Sequence, residues 1–260
     1  MRHAADLVLC CEPENDLLRV LRQCGVAVAH GETPTEAIDM ASPGAGLAVL
    51  ASSYPDQPTR LDASVFEQAA DKHLRVYVEF PDALPGITPG PVRATSTERG
   101  VVASDFFGGE LAAMRILAIH GCHAIALTPP ADASVHMVLA SVAGRDKAAY
   151  GISDVETLPL LFTCEDRRLF VCATKFSQFV TARYAANEDW RVIWTRILQW
   201  LAPDRALPRL EWTPTVRPRY ARDEALPANA EEEALVSGVD WHTASGMLVH
   251  ASWKDGLGTD

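Results

Sequence analysis

The 260-residue chain has no Cys-x-x-Cys pair among its six cysteines, no uncharged apolar run of about 18 residues, and few basic residues for its length. Cys10, Cys11, Cys24, Cys122, Cys164 and Cys172 lie mostly within apolar stretches, which suits buried thiols in a reducing compartment better than a disulfide framework. The amino terminus, MRHAADLVLCCEPEND, lacks the h-region and small-residue cleavage site of a signal peptide, so a soluble cytoplasmic protein is expected. Lys and Arg number 23 against 34 Asp and Glu, a net charge of −11. Such a surface repels phosphate, which disfavours nucleic acid and anionic membranes as partners. The glycine motifs of common sites are also absent. Gly108-Gly109-Glu110 and Gly44-Ala45-Gly46 match neither the P-loop nor the dinucleotide fingerprint, and there is no Gly-x-Ser-x-Gly elbow. No cofactor is expected.

What is present is an alternation of strand and helix signals. Asp6–Cys11 is a short apolar run, and Asn15–Cys24 then sets Leu17, Leu18 and Leu21 on one helical face ahead of Gly25. Val26–His30, Gly46–Ser52 and Leu74–Glu79 read as further strands, with helices predicted over Thr33–Met40 and Ala63–Lys72. Strands apolar on both faces and separated by helices argue a parallel sheet covered on both sides. Beyond a proline-rich turn the pattern changes. Arg115–Leu127 predicts two strands around Gly121, His136–Gly144 another, and Leu158–Thr174 a hairpin around Glu165-Asp166-Arg167. Asn187–Leu201 is the strongest helix signal: Asn187 can cap it, Glu188 and Asp189 suit its first turn, and Trp190, Ile193, Trp194, Ile197, Leu198 and Leu201 share one face until Pro203. An α/β domain over residues 1–203 is therefore followed by a linker and tail, 204–260, with five prolines between Pro203 and Pro227. That tail has no cysteine, so its apolar groups, Trp212, Trp241, Leu248 and Trp253 foremost, are expected to anchor on another surface.

Several polar groups could carry chemistry. Glu79 ends an apolar strand, where open α/β folds place ligand groups; with Asp82 it could form an acid/base pair, or it could accept backbone or arginine hydrogen bonds as a strand-end carboxylate. Glu98 and Arg99 could bind a ligand or form a local ion pair. Lys175, Ser177, Arg183 and Tyr184 occupy a polar segment after the hairpin, a normal place for function and equally for a structural connection. His120, Cys122 and His123 resemble metal ligands, but adjacent strand residues point to opposite faces and no second cluster accompanies them, so no metal is expected. His242 and His250 are isolated.

The β/α repeats, the strand RVYVEFP, the segment ERGVVASDFFG and the hairpin leading into RLFVCATKFSQFVTARYA together resemble the class I glutamine amidotransferase-like superfamily over residues 5–202. The nearer likeness is to the ThuA-like proteins and the amidotransferase-like middle domains of some β-galactosidases. The resemblance implies a flavodoxin-like three-layer sandwich, to which the residue patterns above add a mostly parallel sheet with a β-hairpin and, from the proline-rich composition, an extended C-terminal strap. The amidotransferases carry a Cys on a Gly-rich elbow after the strand that here reads RVYVEFP. Glu79-Phe80-Pro81 stands there instead, and a carboxylate cannot replace the thiolate in glutamine hydrolysis. ThuA-like proteins usually show glycine and histidine after the last hairpin, where this chain has Lys175-Phe176-Ser177. The tail GVDWHTASGMLVHASW, followed by DGLG, resembles the lead-in to six-hairpin glycosidase domains of larger bacterial proteins. The expectation is thus a non-catalytic, carbohydrate-associated module that assembles with a glycosidase domain, a carbohydrate-linked partner or a second copy of itself. The alternative is a small sugar-processing hydrolase or isomerase with Glu79 as acid or base and Glu98, Arg99, Lys175, Ser177, Arg183 and Tyr184 positioning substrate.

Overall fold

A computed structural model describes residues 4–213, apart from residues 118, 120, 145, 146, 150 and 182–186. Its elements in chain order are β1 (Ala5–Cys10), α1 (Asp16–Gln23), β2 (Ala29–Gly31), α2 (Pro34–Met40), β3 (Ala41–Val49), α3 (Ala63–Asp71) and β4 (Arg75–Glu79). There follow β5 (Val92–Ala94), β6 (Arg99–Val102), β7 (Ile116–Leu117), β8 (His123–Ile125), β9 (Ser134–Ala140), β10 (Thr157–Cys164), β11 (Leu169–Cys172) and α4 (Asn187–Leu201). Local chemistry sets the ends. The Asn15 side chain accepts from Leu17 N to cap α1, and Thr33 caps α2 with Pro34 in the first turn. Gly25 closes α1 at φ +71, and Val26 N then donates to Leu21 O, so β2 begins only at Ala29 and not at Val26. β3 begins five residues before the expected Gly46, because Ala41 already pairs with Ala5 across an irregularity in register. The short strands β5 and β6 were not legible as strands.

The main sheet runs β2-β1-β3-β4-β11-β10-β9-β6-β7, with β5 and β8 forming a separate pair. Its first five strands are mutually parallel, and the remaining four extend it in antiparallel fashion. The hairpin β10–β11 makes the change of direction, since β11 pairs parallel with β4 while β10 returns antiparallel to it. Register assigns the two faces. Leu7, Gly46, Ala48, Tyr77 and Phe170 share the face covered by α4, while Val8, Cys10, Gly31, Leu47, Val49, Val76 and Val78 share the other, where Gly31 meets Ala37 and Met40 of α2. Helices on both faces make this a three-layer α/β sandwich. Among the described residues no helix is long and apolar enough to cross a membrane.

The α4 layer is held by aromatic packing. Trp190, Ile193, Trp194, Ile197, Leu198 and Leu201 are all fully buried, and Trp194 meets the Tyr77 ring edge-on at 5.7 Å. The helix end sits so close to β3 that a Cβ on Gly46 would lie 2.6 Å from the Leu201 carbonyl oxygen, so only glycine fits there. The Asn187 side chain lies outside the described residues, but Asp189 in the first turn pairs with Arg115 at 3.3 Å. The chain after α4 stays on this unit. Leu210 is fully buried, Arg191 Nε donates to its carbonyl at 2.6 Å, and Trp212 packs against Phe179 at 4.8 Å. The compact unit ends at Thr213, and the tail with Trp241, His242, Leu248, His250 and Trp253 lies outside the described residues.

Two outcomes are expected of this core. Trp194→Ala should lower unfolding stability by about 3–5 kcal/mol, because an indole-sized cavity opens between α4 and the sheet; a loss below about 1 kcal/mol in denaturant titration would contradict the packing. The second concerns His136 on β9, stacked on Phe106 and bonded to the Ser104 and Thr163 hydroxyls, each at 3.0 Å. Burial pushes this imidazole down from 6.5 to about 4. The unfolded chain therefore takes up a proton near pH 6.5 that the folded chain refuses until about pH 4, so the stabilisation is complete above the first value and lost on acidification towards the second. The stability difference between wild type and His136→Gln should shrink by about 3 kcal/mol from pH 7 to pH 4, and a pH-independent difference would exclude a buried neutral ring.

Candidate functional site

The carboxyl ends of β1, β3, β4 and β11 meet at one edge of the parallel sheet, where open α/β folds place ligands. Glu79, the last residue of β4, is fully buried there. Its Oε1 accepts from Ser177 N at 2.8 Å, Phe176 N at 3.0 Å and the Tyr77 hydroxyl at 3.1 Å. Its Oε2 accepts from the Ser177 hydroxyl at 2.7 Å and Ala51 N at 3.3 Å. Five donors thus occupy a carboxylate that offers about four lone-pair positions. Burial pushes the Glu79 carboxyl up, opposed first by the Ser177 hydroxyl, then by the Lys175 charge and the amides of Ala51 and Ser177. The backbone N–H groups can only donate, so they favour the ionised form.

The network continues outward. Asn15 Nδ2 donates to Ser177 Oγ at 3.0 Å while the same side chain caps α1, and Asp16 Oδ2 accepts from Val180 N, Thr181 N and the Thr181 hydroxyl at 2.9, 2.8 and 3.0 Å. Lys175 lies 3.7 Å from Glu12 on the β1–α1 connection. On the other side of Glu79 the backbone turns sharply. Phe80 takes φ +50, a left-handed conformation costing a non-glycine residue on the order of 1–2 kcal/mol. It is kept by full burial, by hydrogen bonds from Phe80 N to Cys172 O and from Thr59 N to Phe80 O, and by the Tyr54 ring at 5.0 Å. Tyr54 in turn shares its hydroxyl with Thr174 at 3.1 Å, and Thr174 Oγ1 lies 2.8 Å from Cys122 Sγ. Burial raises both the Tyr54 hydroxyl and the Cys122 thiol.

The structure therefore brings Glu79, Lys175 and Ser177 together. Asp82 is not a partner of Glu79 in this network; its Oδ1 accepts from Leu61 N at 3.1 Å. Glu98 and Arg99 lie on the antiparallel half of the sheet, where Arg99 bonds the carbonyls of Val142 and Gly144 and Glu98 meets Arg93. Arg183, Tyr184 and His120 lie outside the described residues. Cys122 is turned to Thr174, and among the described residues no three His, Cys, Asp or Glu side chains gather as metal ligands would. Sequence reasoning missed Tyr77, Asn15, Asp16 and the Ala51 amide. Tyr77 had a signal, since it shares a strand face with Glu79; a backbone amide in a β3 loop has none.

Glu79→Gln should cost about 2–5 kcal/mol in urea unfolding, because the new NH2 faces donors and leaves at least one of them unpaired in the interior, whereas Ser177→Ala should cost about 1–3 kcal/mol. A Glu79→Gln loss within about 1 kcal/mol would show that the carboxylate does not organise this edge.

No family model matches the chain, and no curated protein matches it. Among solved structures it is similar to a Thermoplasma acidophilum protein named for a subunit of GMP synthase, with 14% identity and a TM-score of 0.47, over 78% of this chain and 97% of that one. It is also similar to a protein named as ThuA-like from Bacteroides uniformis, with 9% identity and a TM-score of 0.45, over 76% of this chain and 92% of that one.

Proposed function

We propose that this chain is a non-catalytic, carbohydrate-associated α/β module that acts through assembly with a glycosidase domain or with a second copy of itself. The observation carrying the non-catalytic part is the closure of Glu79. At the strand end where a reactive group would be expected, a carboxylate is fully buried and its acceptor positions are taken by five protein donors. A substrate hydroxyl has no place on it without displacing one of them. The thiols add support. Burial lifts Cys10 and Cys11 to about 12 and raises Cys122, Cys164 and Cys172 as well, so none of these five is a thiolate nucleophile near neutral pH. The carbohydrate and assembly parts are supported by the sequence resemblance of the tail to a glycosidase lead-in.

One observation favours the alternative of a sugar-processing enzyme: burial raises the Glu79 carboxyl, as a general acid requires. Turnover separates the two readings. Ammonia release from glutamine and aryl-glycoside hydrolysis by the full chain should stay at the buffer rate. Either turnover, if it disappears in folded Glu79→Gln protein, would overturn the non-catalytic reading, and loss of glycoside hydrolysis would support the hydrolase alternative.

A further inference from the structure

We propose that a cleft between β5 and the paired ends of β9 and β10 binds a small, neutral, polyhydroxylated ligand the size of one sugar ring, held by Arg93 and Glu98. This gives the carbohydrate-associated reading a location and rests on that reading. The cleft encloses ≈ 300 Å³, the lower end of the roughly 300–1,000 Å³ range of small-molecule sites. Its lining combines apolar groups, buried Leu139 and half-buried Val155 and Leu158, with polar ones, Arg93, Glu98, Ser141 and Glu156. A pyranose has that same division between a C–H face and a hydroxyl edge.

The rim is organised before any ligand arrives. Glu98 Oε2 accepts from Ser96 N at 2.8 Å, Thr97 N at 3.2 Å and the Ser96 hydroxyl at 3.3 Å, which fixes the plane of the carboxylate. These bonds, the Ser96 amide foremost, hold Glu98 down to about 2, so it is an acceptor at any physiological pH. Its Oε1 accepts from Arg93 at 3.1 Å, and Arg93 reaches Glu156 with its other terminal nitrogen at 3.3 Å. In side-chain bonds among the described residues, Arg93 thus uses two of its five N–H donors and Oε1 one of its two lone pairs. A vicinal diol matches what is left, one hydroxyl donating to Oε1 while its neighbour accepts from the guanidinium. Ser141 adds a hydroxyl to the lining, 3.1 Å from that of Thr97.

Charge selects the class. One guanidinium against the carboxylates of Glu98 and Glu156 leaves the rim net negative, on a chain already at −11, so a phosphorylated or acidic sugar is repelled and a neutral one is not. With few contacts and a partly open rim, affinity is expected in the millimolar range.

The test is a titration of isotope-labelled full-length protein with D-galactose and D-glucose, with glucose 6-phosphate as a separate arm, read by amide chemical shifts. Expected are saturable shifts at residues 96–98, 141 and 156 with at least one neutral sugar, no saturation with glucose 6-phosphate, and a roughly tenfold or greater loss of affinity in Arg93→Gln. Arg93 is half exposed, so that variant should fold as wild type; Glu98→Gln, checked for native circular dichroism, is the second. Sugar binding unchanged in both variants, or tighter binding of glucose 6-phosphate, would overturn this site while leaving carbohydrate association standing. Absence of saturation with either neutral sugar into the high millimolar range would overturn the site and the carbohydrate part of the function together, without touching the non-catalytic part.

Discussion

One buried carboxylate ties the carboxyl-terminal edge of the sheet together. Withdrawing Glu79 from water carries a desolvation penalty of several kcal/mol, and only a complete set of donors offsets it. Those donors come from the strand itself and from segments 28, 97 and 98 residues away in sequence. Each connection is therefore held in place by a group that belongs to another. The loop after β3 supplies an amide, the segment after β11 supplies two amides and a hydroxyl, and through Ser177 the constraint passes to Asn15 and the start of α1. The left-handed backbone at Phe80 is tolerable in this setting, since Tyr54, Cys172 and Thr59 fix it from three sides.

At this edge, where open α/β folds place ligands, the Glu79 carboxylate is closed off by burial and hydrogen bonds. Among the described residues, the Glu79 carboxylate and the Asp16 carboxylate at this edge are both engaged by protein donors. Near the antiparallel extension, Arg93 and Glu98 line a cleft, and Arg93 bonds both Glu98 and Glu156. The sheet is divided by direction, and its two parts differ in surroundings. Five parallel strands carry the locked edge and the helical layers, and the antiparallel strands with the separate β5–β8 pair carry the open cleft.

Much of the fold was legible because its elements are local patterns. The apolar face of α4 repeats at helical spacing and ends at Pro203, so its six buried positions could be read directly from Trp190 to Leu201. The hairpin was equally plain from its two apolar arms. Less of the site could be read. Glu79, Lys175 and Ser177 were recognisable as polar residues beside apolar strands, and they do converge. Glu98 and Arg99, picked out by the same criterion, fall on another part of the sheet, because neighbouring β/α units and a distant antiparallel extension look alike in polarity.

Residue order alone was enough to establish the kind of structure: alternating strands and helices, a core large enough to cover both faces of a sheet, and a carboxylate, not a thiol, at the strand end where Glu79 stands. These follow from periodicity and residue type, which act over a few neighbours. Folding in three dimensions was needed to lay β11 parallel to β4, to enclose Glu79 with its five donors, and to bring Arg93 and Glu98 to a cleft. Strand pairing and burial join residues far apart in the chain, and a backbone amide such as that of Ala51 carries no mark in the sequence to show which carboxylate it will meet.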